Sequence, residues 1–249
     1  MADFGLLDTG LAVLAPAIGS FLGVVVRRLP DGLPIAWSRS RCESCSAQLQ
    51  ARDLLPLLSW MLSRGRCRHC GSRVGWFYPA IELAALAIAL IALCADGTPR
   101  ALLDCLLGWW LLTLGWIDAR RWILPDALTL PLIVAGLFEA ALFDPDRLLD
   151  RALGAVLGYL LLRGVALGYR ALHDRDGLGH GDAKLMAAAG AWVGSMALPQ
   201  VVLAAALSAL VAAGVMRLSE RRIDRLSALA FGPFIALATW AVWMVAPIR

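Results

Sequence analysis

Long apolar runs alternate with short polar segments along this chain. The apolar runs lie at about residues 6–26, 77–95, 101–117, 123–143, 149–169, 183–197, 199–216 and 227–247. A run of roughly 18 apolar residues is long enough for a helix to cross the hydrocarbon core of a bilayer. The pattern therefore predicts about eight transmembrane helices. The sixth run is short and rich in Ala and Gly, which suits close contact between helices in lipid.

The overall composition favours the same interpretation. Of the 249 residues, 60% are hydrophobic and only 17% are charged, and the mean hydropathy is +0.71. A soluble all-helical protein, the alternative, needs a more highly charged surface. The first run is not a typical cleavable signal peptide, because the leading segment MADFGLLDTG carries Asp3 and Asp8 and no basic residue. We therefore predict an all-α, polytopic integral membrane protein.

Basic residues cluster on every second connection between the predicted spans. Nine arginines lie between Arg27 and Arg73, and the other connections on this side also carry basic residues: Arg120, Arg121, Arg170, Arg175, Lys184, Arg217, Arg221, Arg222 and Arg225. By the positive-inside rule these segments are cytoplasmic, and both termini lie outside. This topology, with contact to anionic lipid headgroups, accounts for the net charge of +4 without a nucleic-acid partner.

The segment between the first two spans is polar and carries two cysteine pairs, Cys42-x-x-Cys45 and Cys67-x-x-Cys70. Two such pairs are typical of one tetrahedral zinc site, in which each pair forms a tight turn that presents two thiolates. Disulfides or free thiols are the alternative, but the predicted orientation places this segment in the reducing cytoplasm. We predict a structural Zn²⁺ ion on all four cysteines, with His69 as a bystander. Residues without such spacing are expected to serve as packing or interface residues: Cys94, Cys105, His173 and His180.

Two acidic residues lie at span ends on the same predicted side of the membrane. Asp118 ends the third span in GWIDARRWILPDALTLPL, and Asp182 opens the sixth in GLGHGDAKLMAAAGAW. Ionisable groups at a bilayer boundary are costly unless they are paired or solvated, so both are functional candidates. Two carboxylates brought close cannot both ionise easily, so one acts as an acid while the other acts as a base on water. That is the chemistry of an aspartic peptidase, and the glycines before Asp182 would allow its backbone to approach a partner.

Simpler roles for these aspartates stay open on spacing alone. Asp118 can be a solvated residue at a helix end, Asp126 a first-turn residue of the fourth span, and Asp182 an N-cap. A proton-coupled transporter also uses intramembrane carboxylates, although these usually lie near the midplane. An assembly factor built around the zinc loop is a third possibility. Asp104 and Arg163 fall inside predicted spans, so either those edges are misplaced or both side chains face a protein or water interior.

Several long motifs occur together in one order: GSFLGVVVRRLP at residues 19–30, the four-cysteine segment, YPAIELAA, GWIDARRWILPDALTLPL and GLGHGDAKLMAAAGAW. In this order they resemble the type IV prepilin peptidases, a family of GxGD aspartic membrane peptidases. The resemblance implies an endopeptidase that removes the leader of type IV prepilins or type II secretion pseudopilins. Its partners are then these protein substrates and the lipid bilayer. The implied location is the bacterial inner membrane, with the active site facing the cytoplasm.

Carried over residue by residue, the resemblance implies that Asp118 and Asp182 are catalytic and that Asp126 supports them. Family members with the cysteine-bearing loop also methylate the new N-terminal amine, using S-adenosylmethionine. This implies an N-methyltransferase activity here and assigns Glu82 of YPAIE to methyl transfer, although no glycine-rich cofactor motif is visible. One departure is Gly23, where the family commonly has Asn, and it bears on methyl transfer or loop docking rather than on proteolysis.

The sequence thus predicts three parts. Residues 1–27 form the first transmembrane helix, residues 28–76 form a small cytoplasmic four-cysteine zinc loop domain, and residues 77–249 form a membrane-embedded aspartic peptidase domain of helices. The predicted function is prepilin processing by a bifunctional peptidase and methyltransferase. The alternative is a proton-coupled membrane transporter that uses Asp118 and Asp182.

Overall fold

Nine α-helices make up the described part of the computed structural model, which comprises residues 5–36, 39–96, 100–174, 179–218 and 229–245. Their bounds are α1 Leu6–Arg28, α2 Leu58–Leu62, α3 Phe77–Asp96, α4 Arg100–Arg121, α5 Asp126–Phe143, α6 Leu148–His173, α7 His180–Val193, α8 Leu198–Leu218 and α9 Gly232–Val245. These ranges contain no β-strand, and the two isolated bridges in them both flank cysteine pairs. The all-α prediction is confirmed.

Eight of these helices coincide with the predicted spans, and the ninth, α2, is a five-residue helix inside the cysteine-bearing segment. Among the described residues, six helices are long and apolar enough to cross a membrane: α1, α3, α4, α5, α6 and α8. The other two, α7 and α9, have 14 residues each. At 1.5 Å per residue such a helix is about 21 Å long, less than a hydrocarbon core of about 30 Å. Some residues used in the topology argument lie outside the described ranges: Asp3, Arg175, Arg221, Arg222 and Arg225.

A tight turn joins α4 to α5. Trp122 directly follows α4 and adopts a left-handed conformation with φ of 59°. Its N–H donates to the carbonyl oxygen of Asp118 at 2.9 Å, which closes the last turn of the helix. Extended Pro125 then precedes the first residue of α5, Asp126. The turn therefore places Asp118 and Asp126 at neighbouring helix ends.

The chain divides into two compact units, Met1–Trp109 and Trp110–Arg249. In the first unit, α1 packs against α3, and a Cβ at Gly23 would lie 3.1 Å from the Cδ1 atom of Tyr78. The guanidinium of Arg27 lies over the rings of Phe77 and Tyr78, at 5.1 and 5.0 Å, and pairs with Glu43 of the cysteine-bearing segment. A larger side chain at position 23 would displace the ring that Arg27 covers. The three-part division of the sequence stays a prediction.

Helix α7 is the enclosed centre of the second unit. Of its 14 residues, 11 are buried, and it packs against α5, α6 and α9. Its backbone nearly touches that of α6, since a Cβ at Gly190 would lie 2.1 Å from the carbonyl oxygen of Gly154. Small residues permit such an approach, as the composition of the sixth span predicts. The helix that carries Asp182 is therefore surrounded by protein.

Charged side chains inside the helices face protein partners. Asp104 is fully buried, as expected for a charged residue within a span, and Arg163 approaches the Nδ1 atom of His180 at 2.8 Å. A further pair was not predicted from the sequence: Arg151 of α6 donates to Glu139 of α5 at 2.6 Å. Both side chains are buried, and the guanidinium lies 5.3 Å from the ring centre of Trp243. The attraction between Arg151 and Glu139 thus offsets part of the cost of burying both charges.

Candidate active site and metal centre

Asp118 lies in the last turn of α4, where its side chain is only 6% exposed. Its Oδ2 atom accepts a hydrogen bond of 2.9 Å from the backbone N–H of Gly232, the first residue of α9. The residue is therefore not the solvated helix-end aspartate that the simplest interpretation expects. The carboxylate is enclosed and held by a second helix.

Asp182 is the third residue of α7 and is 7% exposed. Its Oδ2 atom accepts a hydrogen bond of 3.2 Å from the N–H of Gly179, which occupies the N-cap position. Asp182 is not the N-cap residue, because it lies three residues after Gly179, which occupies that position. The carboxylate nonetheless satisfies one backbone donor at the helix start.

The two carboxylates lie close enough to affect each other. Asp182 precedes the predicted sixth span and lies outside the six membrane-capable segments. Burial raises its pKa to about 6, and the nearby charge of Asp118 adds to the increase. A carboxyl group with a raised pKa beside a second carboxylate holds its proton to a higher pH than usual, and it can act as an acid while its neighbour acts as a base. The structure thus brings together the two aspartates selected from the sequence.

Gly181 explains part of the glycine motif before Asp182. A Cβ at this position would lie 2.8 Å from the Cβ atom of Leu124, a buried residue in the turn between α4 and α5. The start of α7 can therefore lie this close to the turn between α4 and α5 only with glycine at position 181. Gly179, by contrast, has an ordinary extended conformation with φ of −71°.

Other polar residues near this region have different partners. Asp126 is exposed and forms an ion pair with Lys184 at 2.5 Å. His180 contacts Arg163, and His173 stacks on the ring of Tyr169 at 4.4 Å. Asp126 thus ties the start of α5 to α7 without joining the buried pair, and the histidines serve as interface residues as expected.

Sequence reasoning missed Gly232 as a member of the site. It contacts Asp118 although 114 residues separate the two positions. The available signal is the stretch FGPF, in which a glycine and a proline open an apolar helix. That pattern marks a helix start but does not say what the start faces.

The four predicted zinc ligands lie together in the first unit. The sulfur atoms of Cys42, Cys45, Cys67 and Cys70 are all within 4.8 Å of one another, and the Cys42 and Cys70 sulfurs are 3.9 Å apart. A tetrahedron with Zn–S bonds of about 2.3 Å has edges of about 3.8 Å, so the spacing fits one zinc ion. His69 is not a member of this cluster among the described residues.

The two cysteine turns have the same backbone design. In the first, the N–H of Ser46 donates to the carbonyl of Cys42 at 2.9 Å, and in the second, the N–H of Gly71 donates to Cys67 at 2.9 Å. Ser46 and Gly71 both have positive φ angles, 57° and 70°. Backbone N–H groups of the turn, those of Cys45 and Ser44, lower the pKa of the Cys42 thiol to about 6. This favours at Cys42 the thiolate form that binds metal, whereas burial and the neighbouring thiols raise the pKa of Cys45 in the same turn to about 11.

The cysteines are free thiols in the structure, which does not favour the disulfide alternative. Cys105 is buried, as expected for a packing residue. Cys94 is exposed, so the packing expectation is wrong there. Cys94 is also outside the cluster of four sulfur atoms.

Glu82 connects the cysteine-bearing segment to α3. Its Oε2 atom accepts a hydrogen bond of 2.8 Å from the backbone N–H of Leu57, and the side chain of Ser20 also bonds to it. Leu57 has a positive φ of 59°, which is unfavourable for a side chain of this size. The carboxylate is only 5% exposed. Glu82 therefore holds an unusual turn of the loop, a role that the sequence did not suggest.

Comparisons with known proteins agree with these features. Residues 13–95 match the model of the bacterial peptidase A24 N-terminal domain, and residues 105–214 match that of the type IV leader peptidase family. The chain is similar to the prepilin leader peptidase/N-methyltransferase of Dickeya chrysanthemi, with 42% identity over 92% of this chain and 89% of the relative. It is also similar to proteins of that name from Burkholderia pseudomallei strain K96243, with 39% identity over 95% and 86%, and from Aeromonas hydrophila, with 38% identity over 90% and 85%. No solved structure matches the chain. With a buried aspartate pair and a relative 42% identical over nearly its whole length, this chain belongs to the type IV leader peptidase family.

Proposed function

We propose that this chain is a membrane aspartic endopeptidase that removes the leaders of type IV prepilins or type II secretion pseudopilins and methylates the new N-terminal amine. The observation that carries the proposal is the buried pair of Asp118 and Asp182 in a chain of this family. Neither family model nor any of these relatives supports the transporter alternative. The direct test mixes membranes containing the chain with a purified prepilin. Loss of the leader, seen as a mass change, supports the proposal, and an unprocessed prepilin would contradict it.

The two aspartates divide the hydrolysis between them. Asp182 holds the shared proton, in line with its raised pKa, and donates it to the oxygen of the scissile carbonyl. Asp118 takes a proton from water as the water oxygen bonds to the carbonyl carbon. The bond from carbon to nitrogen then breaks as Asp118 passes its proton to the leaving amine, and a hydroxyl of the intermediate returns a proton to Asp182 as the carboxyl product forms. The substrate must be extended at this point, because the amide of a helix is shielded by its own hydrogen bonds.

The membrane placement follows from the charge distribution. The basic connections face the cytoplasm by the positive-inside rule, and two of those basic residues, Arg120 and Arg121, lie two and three positions after Asp118. Because Asp118 shares the last turn of α4 with these arginines, we place the aspartate pair at the cytoplasmic boundary of the bacterial inner membrane. Water reaches such a site without crossing the bilayer core, while the apolar helix of the substrate stays in the lipid.

Zinc and S-adenosylmethionine are the proposed cofactors. Cys42, Cys45, Cys67 and Cys70 would hold the zinc ion with no position left for water, so the ion would stabilise the fold of the loop. S-adenosylmethionine, when bound, supplies the methyl group for the new N-terminal amine. Within the first unit, Glu82 and Arg27 attach the loop to α1 and α3 and so hold it against the membrane helices.

Substitution of Glu82 tests its role in methyl transfer. We expect Glu82→Ala to reduce methylation of the processed pilin by about 10-fold or more, since a hydrogen bond to a charged group contributes about 1.5–3 kcal/mol. Leader cleavage should change little, because Glu82 is not part of the aspartate pair. The mass of the processed N-terminus reports methylation, and gel mobility reports cleavage. Asp31→Ala, a change in the same loop, serves as the control, and equal methylation by Glu82→Ala and wild type would contradict the assignment.

Gly181 offers a geometric test of the peptidase site. In Gly181→Ala the new methyl group would meet Leu124, so the start of α7 and Asp182 must shift. Displacement of a catalytic group by about 1 Å costs about 10²-fold in rate, and we expect a loss of that order in leader cleavage. Gly164→Ala is the matched control, because a Cβ there meets nothing within 4 Å. Equal cleavage rates for the two variants would show that the contact does not position the site.

A further inference from the structure

The start of α9 is the third element at the aspartate site, beside α4 and α7, which carry Asp118 and Asp182. The N–H of Gly232 donates to the Oδ2 atom of Asp118 at 2.9 Å. Pro233 has no N–H, and the N–H groups of Phe234 and Ile235 donate to the carbonyl of Phe231 at 3.1 and 3.2 Å. Of these first N–H groups of α9, the one that donates to the carboxylate of Asp118 is that of Gly232. Asp118 caps α9 from a different helix.

The space beside Gly232 is filled by Asp118 itself. The three atoms nearest to a Cβ at position 232 would be the Oδ2, Cγ and Cβ atoms of Asp118, at 2.6, 2.9 and 3.1 Å. Separations under about 3 Å are shorter than van der Waals contact between such atoms, which is about 3.5–4.0 Å for carbon pairs. Any side chain at position 232 must therefore displace the carboxylate or the helix.

We infer that Gly232 is a positioning residue for Asp118: its N–H fixes one carboxylate oxygen, and its missing side chain makes room for the group. The inference rests on the proposed peptidase function. With Oδ2 held by α9, Oδ1 is the oxygen left to accept a proton from water. The geometry of the base is then set by α9 as much as by α4, the helix that carries it.

A kinetic comparison tests this role. We expect Gly232→Ala to lower kcat for leader cleavage by about 10²-fold with KM within about threefold of wild type, because substrate binding does not need the exact carboxylate position. Gly115→Ala is the matched control. It adds a methyl group to α4 against the same turn of α9, at an ordinary 3.4 Å from the Cα atom of Pro233. The same kcat loss in both variants, or no loss in Gly232→Ala, would overturn the inference.

A double-mutant comparison of thermal stability does not depend on activity. Gly232→Ala should lower Tm clearly in the wild-type background and much less in an Asp118→Ala background, since that change removes the two nearest clashing atoms. Equal Tm losses in both backgrounds would show that Gly232 serves general packing and would overturn the inference. If the wild-type chain does not cleave prepilin, the proposed function fails, but this stability result still decides whether Gly232 accommodates Asp118.

Discussion

We expect Asp118→Asn and Asp182→Asn each to reduce leader cleavage by about 10³-fold or more. General acid and base catalysis contributes about 10²–10⁴-fold for each group, and both aspartates are buried where water alone cannot replace them. An asparagine keeps the size and the hydrogen bond to the backbone N–H but cannot exchange a proton in this way. The measurement is the initial cleavage rate of a purified prepilin by membranes with equal amounts of each variant.

The control for the aspartate pair is Asp126→Asn. Asp126 lies in the same region but is exposed, and its ion pair with Lys184 is a surface contact. Such pairs contribute about 0–1 kcal/mol, so the rate should stay within about fivefold of wild type. Normal cleavage by either Asp118→Asn or Asp182→Asn would refute the assignment. A loss in Asp126→Asn as large as in the other two would enlarge the site to three carboxylates.

Removal of the zinc site is the second change with a large expected effect. The binding free energy of structural zinc reaches about 10–16 kcal/mol at neutral pH and stabilises the fold of the loop directly. We expect Cys67→Ser to reduce bound zinc from about one ion per chain to nearly none and to expose the loop to added protease. Metal analysis and limited proteolysis of the purified protein measure both effects.

Cys94→Ser is the matched control for the zinc site. It removes a thiol from the same unit, but one that is outside the four-sulfur cluster. Its zinc content and protease resistance should equal those of the wild type. Wild-type protein with intact thiols and no zinc would refute the metal assignment, and a folded loop in Cys67→Ser would show that zinc is dispensable for the fold.

Features set by local sequence were predictable, whereas contacts between distant segments were not. Hydropathy located eight of the nine helices in the described ranges, because an apolar run away from water satisfies its backbone groups most easily as a helix. Cysteine spacing predicted the cluster of four thiols, since each CxxC turn brings two of them together within four residues of chain. The contact between Asp118 and Gly232 escaped prediction because 114 residues separate them. The contact of Glu82 was also not predictable. Its partner is the backbone N–H of Leu57, and every residue except proline has such a group, so the residue type gives no signal.

The enclosure of α7 is a further result that hydropathy alone does not give. A window of apolar residues has the same hydropathy whether lipid or protein surrounds it. Only the packing of α5, α6 and α9 around α7 shows that protein covers most of this helix. Its length of 14 residues then makes sense, because a helix shielded by others does not need to match the bilayer thickness.

The ion pair between Arg151 and Glu139 bears on how the chain enters the bilayer during synthesis. An isolated Arg deep in a membrane helix costs about 2.5–3.5 kcal/mol on insertion scales. Only four residues, 144–147, join α5 to α6, so these helices can enter as one hairpin with the two opposite charges already neutralised. Translocon insertion of α6 by itself should then be less efficient than insertion of the joined pair.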